Sequence, residues 1–113
     1  MSFLSDIQTA LAPLGVPIET GHFTQEAPDA YLVVVPMIEQ TAYFADNKPQ
    51  VDVEEARIAL YVKGNYQQLK KQVINALSGA GFTITERRYI GYEPESGYHH
   101  YSVDTANYYE TEE

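Results

Sequence analysis

The sequence contains no cysteine and no tryptophan, and lysine and arginine together supply only seven of its 113 residues. Without cysteine there are no disulfide bonds and no metal sites built on thiolates. No stretch approaches the roughly 18 consecutive apolar residues that a membrane-spanning helix needs. The N-terminus also lacks the basic region and apolar stretch of a signal peptide. These absences fit a protein of the cytoplasm.

The few basic residues are outnumbered by sixteen acidic ones, which gives a net charge of −9. Binding to nucleic-acid phosphates depends on basic residues that release counterions, and anionic membranes attract the same residues. The charge therefore disfavours nucleic acids and membranes as partners. The acidity is typical of a soluble protein, of a protein that binds a partner with a basic surface, or of a protein that mimics nucleic acid.

The most clearly specified stretch is residues 51–92, which predicts a strand, a helix and a second strand. Apolar and polar residues alternate over 56–63, the period of a strand with one buried face. Helical spacing follows over 66–80, and Asn65 is placed to cap that helix. Glycines end the helix, and strand-like alternation resumes at Phe82.

A helix and two strands are predicted before this unit. Ser2 is a plausible N-cap for a helix whose apolar residues recur at helical spacing up to Leu11. A short strand is expected over residues 16–21, where Pro17 indicates the edge of a sheet or the start of a strand. Residues 30–36 are apolar on both faces, which predicts a central strand.

Residues 38–50 leave two alternatives open. In the first, residues 38–44 pair with 51–63 in a long hairpin that turns at residues 46–50. In the second, the segment is a loop that becomes ordered only on assembly. Its turn-rich end, with Pro49, does not decide between them.

The C-terminal third predicts a second hairpin. Residues 86–92 continue a strand, 93–97 have the proline and glycine of a turn, and 98–106 return as the partner strand. Residues 107–113 are acidic and are expected to fray. The whole chain, 1–113, is therefore predicted to be a single α+β domain. Its order is α-β-β-β-α-β-β, with two helices packed on a mixed, mostly antiparallel sheet of four to five strands.

No group of residues indicates catalysis. Metal ligands gather only at His99, His100 and Asp104, but adjacent strand residues lie on opposite faces. His100 and Asp104 would also lie about 13 Å apart. No nucleophile elbow or phosphate-binding glycine motif occurs. We therefore expect no enzyme activity, no cofactor and no bound metal. A metal hydrolase that uses these three residues is the remaining enzyme hypothesis.

Tyrosine is unusually frequent, with ten copies, six of which follow Arg88. Tyrosine is enriched at protein interfaces, but it also forms aromatic pairs between strands. Two glutamates at the start of the strand in the central unit are too polar for a buried position. We predict a contact surface on the two hairpins. Its residues are Tyr43, Phe44, Glu54, Glu55, Tyr89, Tyr92, Tyr98, His99, His100 and Tyr101.

Three segments carry a family resemblance when they are read together. They are IALYVKGNY at 58–66, LSGAGF at 77–82, and RRYIGYEPESGYHHYSVD at 87–104. In these segments the chain resembles the tail terminator or tail completion proteins, the small head–tail joining proteins of the siphophage neck. Residues 1–50 match that family only in their layout of a helix followed by strands.

This resemblance implies an α+β subunit that assembles with itself into a ring, usually a hexamer. The ring caps the tail tube, stops its polymerisation and joins the tail to the head connector. The implied partners are other copies of the chain, the major tail tube protein and the head connector or completion protein, with DNA passing through the lumen. The implied location is the virion neck, assembled in the bacterial host cytoplasm. No catalytic residue follows from the resemblance. The alternative is a small acidic inhibitor or anti-defence protein that binds a basic partner.

Overall fold

The centre of the protein is a five-stranded sheet with the order β1-β2-β3-β5-β4. The computed structural model describes residues 2–20, 28–45 and 48–110. Strands β1 and β2 are parallel, and the other neighbouring strands are antiparallel. This confirms the predicted α+β class, element order and mixed sheet. The elements are α1 (Phe3–Leu11), a 3-10 turn (Ala12–Leu14), β1 (Ile18–Thr20), β2 (Ala30–Ala45), β3 (Lys48–Lys63), α2 (Gln67–Gly79), β4 (Thr83–Glu93) and β5 (Tyr98–Glu110).

Strand β3 is the middle strand of the sheet, and its alternation over residues 56–62 gives it one buried face. Ile58 and Leu60 are completely buried, as the alternation predicts, and they lie opposite Val34 and Leu32 of β2. On the other face of β3, Arg57 and Tyr61 are half-buried. Fully burying one such aliphatic side chain contributes about 1.5–3 kcal/mol to stability.

Both helices pack on the same face of the sheet, named here the helix face; the opposite face is the open face. Ser2 caps α1 as predicted, because its hydroxyl accepts a hydrogen bond from the Ser5 amide at 3.1 Å. Asn65 accepts from the Gln67 amide at 2.9 Å, although Tyr66 takes the cap position. Among the described residues no helix covers the open face. The helices contribute Phe3, Ile7, Leu11, Leu69, Val73 and Leu77 to the core.

Strands β3 and β4 flank α2 in the chain, and both are antiparallel to β5. They are therefore parallel to each other, and β5 lies between them. The strand–helix–strand unit predicted for residues 51–92 is present, but its two strands are not neighbours. Periodicity identifies a strand but not the strand that it pairs with, so the sequence did not predict that β5 lies between β3 and β4.

The hairpin of β2 and β3 extends beyond the core as a long arm. Pairing continues from Ile38 opposite Glu55 to Ala45 opposite Lys48, so the hairpin alternative for residues 38–50 is confirmed and the loop alternative is wrong. A sixteen-residue strand spans about 53 Å, which matches the molecule's long axis of 55 Å against 25 and 22 Å for the others. The radius of gyration, 15.4 Å, exceeds the roughly 13 Å of a compact chain of this length.

The end of β5 adds a third strand to this arm. The prediction of a frayed tail at 107–113 is wrong for residues 107–110, because Asn107 pairs with Glu54 and Glu110 with Val51. Without residues 107–110, the backbone N–H and C=O groups at the start of β3 would lack partners on the side that faces β5. Residues 108 and 109 are also tyrosines, which are good strand formers. Residues 111–113 lie outside the described part of the chain.

Two predicted boundaries also change. The turn expected at 46–50 is shorter, because residues 48–50 belong to β3, while residues 46 and 47 lie outside the described residues. The strand expected at 16–21 covers only Ile18–Thr20, and residue 21 is likewise outside. Strand β1 lies at the edge of the sheet directly after Pro17, as predicted.

Candidate interaction surfaces on the sheet

The start of β5 places aromatic rings on both faces of the sheet. Because successive strand residues alternate, His99 and Tyr101 lie on the helix face, whereas Tyr98 and His100 lie on the open face. This confirms that the two adjacent histidines diverge. Each face therefore carries an aromatic cluster built around two residues of one strand.

The cluster on the helix face is centred on Tyr66, at the start of α2. Its ring centroid lies 5.4 Å from that of Tyr89, and 5.5 Å from those of His99 and Tyr101. The Tyr89 hydroxyl is hydrogen-bonded to Nδ1 of His99 at 3.0 Å, and Lys70 Nζ lies 5.2 Å from the centre of the Tyr101 ring. We name this group the helix-face cluster: Tyr66, Tyr89, Tyr92, His99 and Tyr101.

The cluster on the open face is a stack of three parallel rings from three strands. The Tyr31 and Tyr61 centroids are 4.9 Å apart with planes 12° from parallel, and the Tyr61 and His100 centroids are 4.4 Å apart at 19°. Tyr98 meets Tyr31 and Tyr61 edge-on and donates a hydrogen bond to the Pro28 carbonyl. Tyr31, Tyr61, Tyr98 and His100 are named the open-face cluster.

Partial burial shifts the pKa values of three side chains in the open-face cluster. Desolvation is the main cause that raises the pKa of Tyr31 and of Tyr61. Desolvation also lowers the pKa of His100 below its ordinary 6.5; Arg57 lowers it further, and Glu93 partly opposes this. His100 is therefore a neutral imidazole at neutral pH. Its Nε2 atom is buried and has no hydrogen-bond partner among the described residues.

A partly buried ion pair lies on the open face, four positions along the strands from the cluster. Arg57 of β3 and Asp104 of β5 are directly opposite each other in the sheet. The guanidinium holds the carboxylate through two hydrogen bonds, Nε to Oδ1 at 2.8 Å and Nη2 to Oδ2 at 3.1 Å. This pairing raises the pKa of Arg57. The sequence offered Asp104 as a metal ligand, but the structure gives it an arginine.

Strand β4 forms one edge of the sheet and changes character along its length. Its middle carries the charged residues Glu86, Arg87 and Arg88, and Arg88 is paired with Glu86 at 2.8 Å. The following segment, residues 89–92, contains no charge, and its three side chains are 43–51% exposed. Charged residues on an edge strand discourage pairing with another chain. Residues 89–92 lack these charges, and the pairing of β4 with β5 shifts register there, between Tyr89 and Gly91, which marks a bulge in the edge strand.

The ten residues predicted as contact residues lie on two hairpins, and those of the second hairpin are divided between the two faces of the sheet. Tyr89, Tyr92, His99 and Tyr101 belong to the helix-face cluster, and Tyr98 and His100 belong to the open-face cluster. Glu54 and Glu55 are half-buried at the base of the arm rather than projecting freely. The Tyr43 and Phe44 side chains lie outside what the structure describes.

Sequence reasoning missed three rings that complete these clusters: Tyr31, Tyr61 and Tyr66. Tyr61 was placed on the polar face of its strand, and its position there was the available signal.

Within the described residues, no three histidine or acidic side chains lie close enough together to hold a metal ion, and no helix is long and apolar enough to cross a membrane.

A scan of protein-family models and a search of curated proteins both found no match to this sequence. A functional assignment for this chain therefore depends on the geometry of the two clusters, the edge strand and the arm.

Proposed function

We propose that this chain is the subunit of a ring, of the siphophage tail terminator type, that caps a tail tube and joins it to the head connector. The observation that carries the proposal is a pair of different sheet edges on one elongated subunit, neither of which has a strand partner among the described residues. One is β4 with its uncharged segment 89–92. The other is the outer side of β2 over residues 35–45, beyond the three pairs that β2 makes with β1 among the described residues.

Two different edges support a head-to-tail assembly. A contact that joins one edge of a subunit to the other edge of the next is heterologous, and such contacts form a closed ring when the rotation between subunits closes. The arm provides reach, because it extends the subunit to 55 Å. The ring then offers repeated surfaces to a tail tube protein on one side and a connector on the other.

The acidity of the chain fits passage of DNA through such a ring. With a net charge of −9, an acidic lumen repels phosphates and lets DNA pass without adhering. Glu54 and Glu55 are adjacent in β3 and lie on opposite faces, so we propose that one of them is part of that lumen. Reversal of both charges to lysine is expected to slow DNA ejection from assembled particles. Unchanged ejection would count against this part of the proposal.

Native mass spectrometry of the purified chain over a wide concentration range tests the ring. We expect a closed oligomer to appear at high concentration, or on addition of the tail tube protein from the same genome. Ile90→Lys places a charge in the uncharged segment of β4 and is expected to abolish the oligomer. Gln68→Lys, on an exposed position of α2, is the matched control and should leave it intact. A monomer under every condition, including with tube protein, overturns the proposal.

One observation favours the second candidate, an acidic inhibitor of a basic partner. The turn after β4 forms a shallow pocket of about 550 Å³ whose lining includes Glu93, Glu95 and exposed Tyr92. A one-to-one complex with a basic protein, formed by a chain that stays monomeric, would favour this candidate over the ring. Loss of that complex on Glu93→Lys and Glu95→Lys would assign it to the pocket.

A further inference from the structure

Acidic and basic residues occupy different parts of the chain. Residues 56–88 contain six of the seven basic residues and only one of the sixteen acidic ones. No acidic residue occurs over 56–85, a range that includes the whole of α2. Residues 38–55 have the opposite character, with five acidic residues and one basic residue. A chain with a net charge of −9 therefore folds into a subunit with one acidic part and one basic part.

Three basic residues form a patch on the helix-face side of the sheet. Lys70 and Lys71 belong to α2, and Arg87 of β4 is opposite Val103, a core residue beneath the helices. None of the three basic side chains has an acidic partner among the described residues. We name Lys70, Lys71 and Arg87 the basic patch. The other three basic residues of this region are each paired with an acid: Arg57, Lys63 and Arg88.

Two acidic residues lie on the same side of the sheet at the base of the arm. Asp52 and Glu54 are two positions apart in β3, so they share one face of the strand. Ile58, four positions further along the same strand, is buried in the core under the helices. The pairing of β3 with β5 has no register shift between these positions. Asp52 and Glu54, named the acidic pair, therefore lie on the helix-face side, and Glu55 lies on the other side.

The acidic pair and the lysines of the basic patch are too far apart to meet within one subunit. Lys70 Nζ lies 5.2 Å from the centre of the Tyr101 ring, and Tyr101 is opposite Leu60. Glu54 is six residues from Leu60 along β3, which corresponds to about 20 Å. Salt screens exposed charges beyond about 8–10 Å at physiological ionic strength. An acidic partner for these lysines must therefore come from another molecule.

We infer that the basic patch of one copy of this chain binds the acidic pair on the arm of the next copy. This inference rests on the proposed ring and specifies the charges that hold one contact in it. Copies with a net charge of −9 repel one another wherever their acidic surfaces meet. The basic patch reverses that repulsion for an approaching arm. Because the two patches differ, the contact is heterologous, as a closed ring requires.

The surroundings of the basic patch suit a protein partner. Tyr89 and Tyr92 of the helix-face cluster lie on the same side of β4 as Arg87 and are 43% and 51% exposed. Exposed tyrosines provide apolar contact area beside the charges, as the cores of protein interfaces do. The net charge of the chain disfavours a nucleic acid at this position. Use of Glu54 in the contact leaves Glu55, on the other face, for the lumen.

Charge reversal followed by mixing tests the contact. Lys71→Glu with Arg87→Glu turns the basic patch acidic, and Asp52→Lys with Glu54→Lys turns the acidic pair basic. Lys70 is kept because its ammonium group lies over an aromatic ring. Each double variant alone should need at least about tenfold more protein for half-assembly in native mass spectrometry. An equimolar mixture should assemble again, in species with equal numbers of the two variants, because every acidic patch then meets a basic one.

Glu55→Lys is the matched control, since it makes the same charge change one residue away on the opposite face. It should assemble like the wild type. Melting temperatures near that of the wild type separate a lost contact from a lost fold. If a double variant does not fold, the single variants Lys71→Glu and Asp52→Lys carry the same mixing test.

The outcomes separate this contact from the ring itself. A wild-type ring whose charge-reversed variants assemble normally, or do not rescue each other on mixing, overturns this inference and leaves the proposed function standing. Loss of assembly on reversal of the basic patch alone also overturns it, because the partner of the patch is then a different acidic surface. A wild-type chain that never assembles, even with tube protein, overturns both.

Discussion

The ion pair between Arg57 and Asp104 offers a quantitative test of the fold. Arg57→Met removes the guanidinium but keeps an apolar stem of similar length, so the substitution isolates the two hydrogen bonds at 2.8 and 3.1 Å. It leaves the Asp104 carboxylate, whose side chain is 7% exposed, without its partner. We expect a clear loss of stability.

The size of the loss follows from the exposure of the two side chains. Removing one partner from a fully buried pair costs about 3–5 kcal/mol, whereas a surface pair contributes about 0–1 kcal/mol. The Arg57 side chain is 39% exposed, so water partly replaces it. We therefore expect about 2 kcal/mol, the range of a hydrogen bond to a charged group. For a domain of this size that lowers the melting temperature by about 8 °C.

Urea unfolding of the monomer, followed by circular dichroism, measures this change. Arg88→Met is the matched control, because the Arg88 and Glu86 side chains are 60% and 46% exposed although their atoms also approach to 2.8 Å. It should cost less than about 1 kcal/mol. Replacing both Arg57 and Asp104 with apolar residues should recover part of the loss. If Arg57→Met and Arg88→Met cost the same, burial of Asp104 does not control the strength of the pair, and the reasoning fails.

Three further predictions concern the open face and the core. The lowered pKa of His100 means that the unfolded chain binds its proton first as the pH falls, so stability should be lost from about pH 6.5 downward. His100→Phe keeps an aromatic ring that cannot take up a proton, so its melting temperature should fall less at acidic pH. An equal fall in the wild type and in His100→Phe would contradict the lowered pKa of His100. Ile58→Ala should cost about 2–5 kcal/mol in urea unfolding, because Ile58 is fully buried; a loss below about 1 kcal/mol would mean that the core is loosely packed. Tyr98→Phe removes the hydrogen bond to the Pro28 carbonyl and should cost about 1 kcal/mol, whereas no change in unfolding would show that water replaces this bond.

Much of the fold could be predicted from local pattern. Ile58 and Leu60 show the alternation of β3, and Leu69 and Val73 show the helical spacing of α2, because each element buries one side only. An element that buries only one side repeats its apolar residues at a fixed spacing in the sequence. The hydrogen bonds that Ser2 and Asn65 accept at the starts of the helices were predictable for a similar reason, since they reach only two or three residues along the chain, although Tyr66 rather than Asn65 takes the cap position of α2.

The candidate surfaces were predictable only in part, because they depend on register between distant strands. Tyr31, Tyr61 and His100 stack because three strands align them, and no local period contains that alignment. Arg57 and Asp104 are 47 positions apart. Likewise, the strand character of residues 107–110 depends on the free side of β3 beside them. Both residues are charged positions within predicted strands, but nothing in the local pattern pairs one with the other.

The position of β5 has a consequence for how the chain is made. β4 leaves the ribosome before β5, yet β5 is its only described neighbour in the sheet, and β3 also lacks one partner until then. A nascent chain that ends near residue 97 therefore exposes two unpaired strand edges together with the tyrosines of β4, and such edges promote aggregation. The strand that separates β3 from β4 is made after both of them. Truncation before residue 98 consequently removes the interior of the sheet rather than its end.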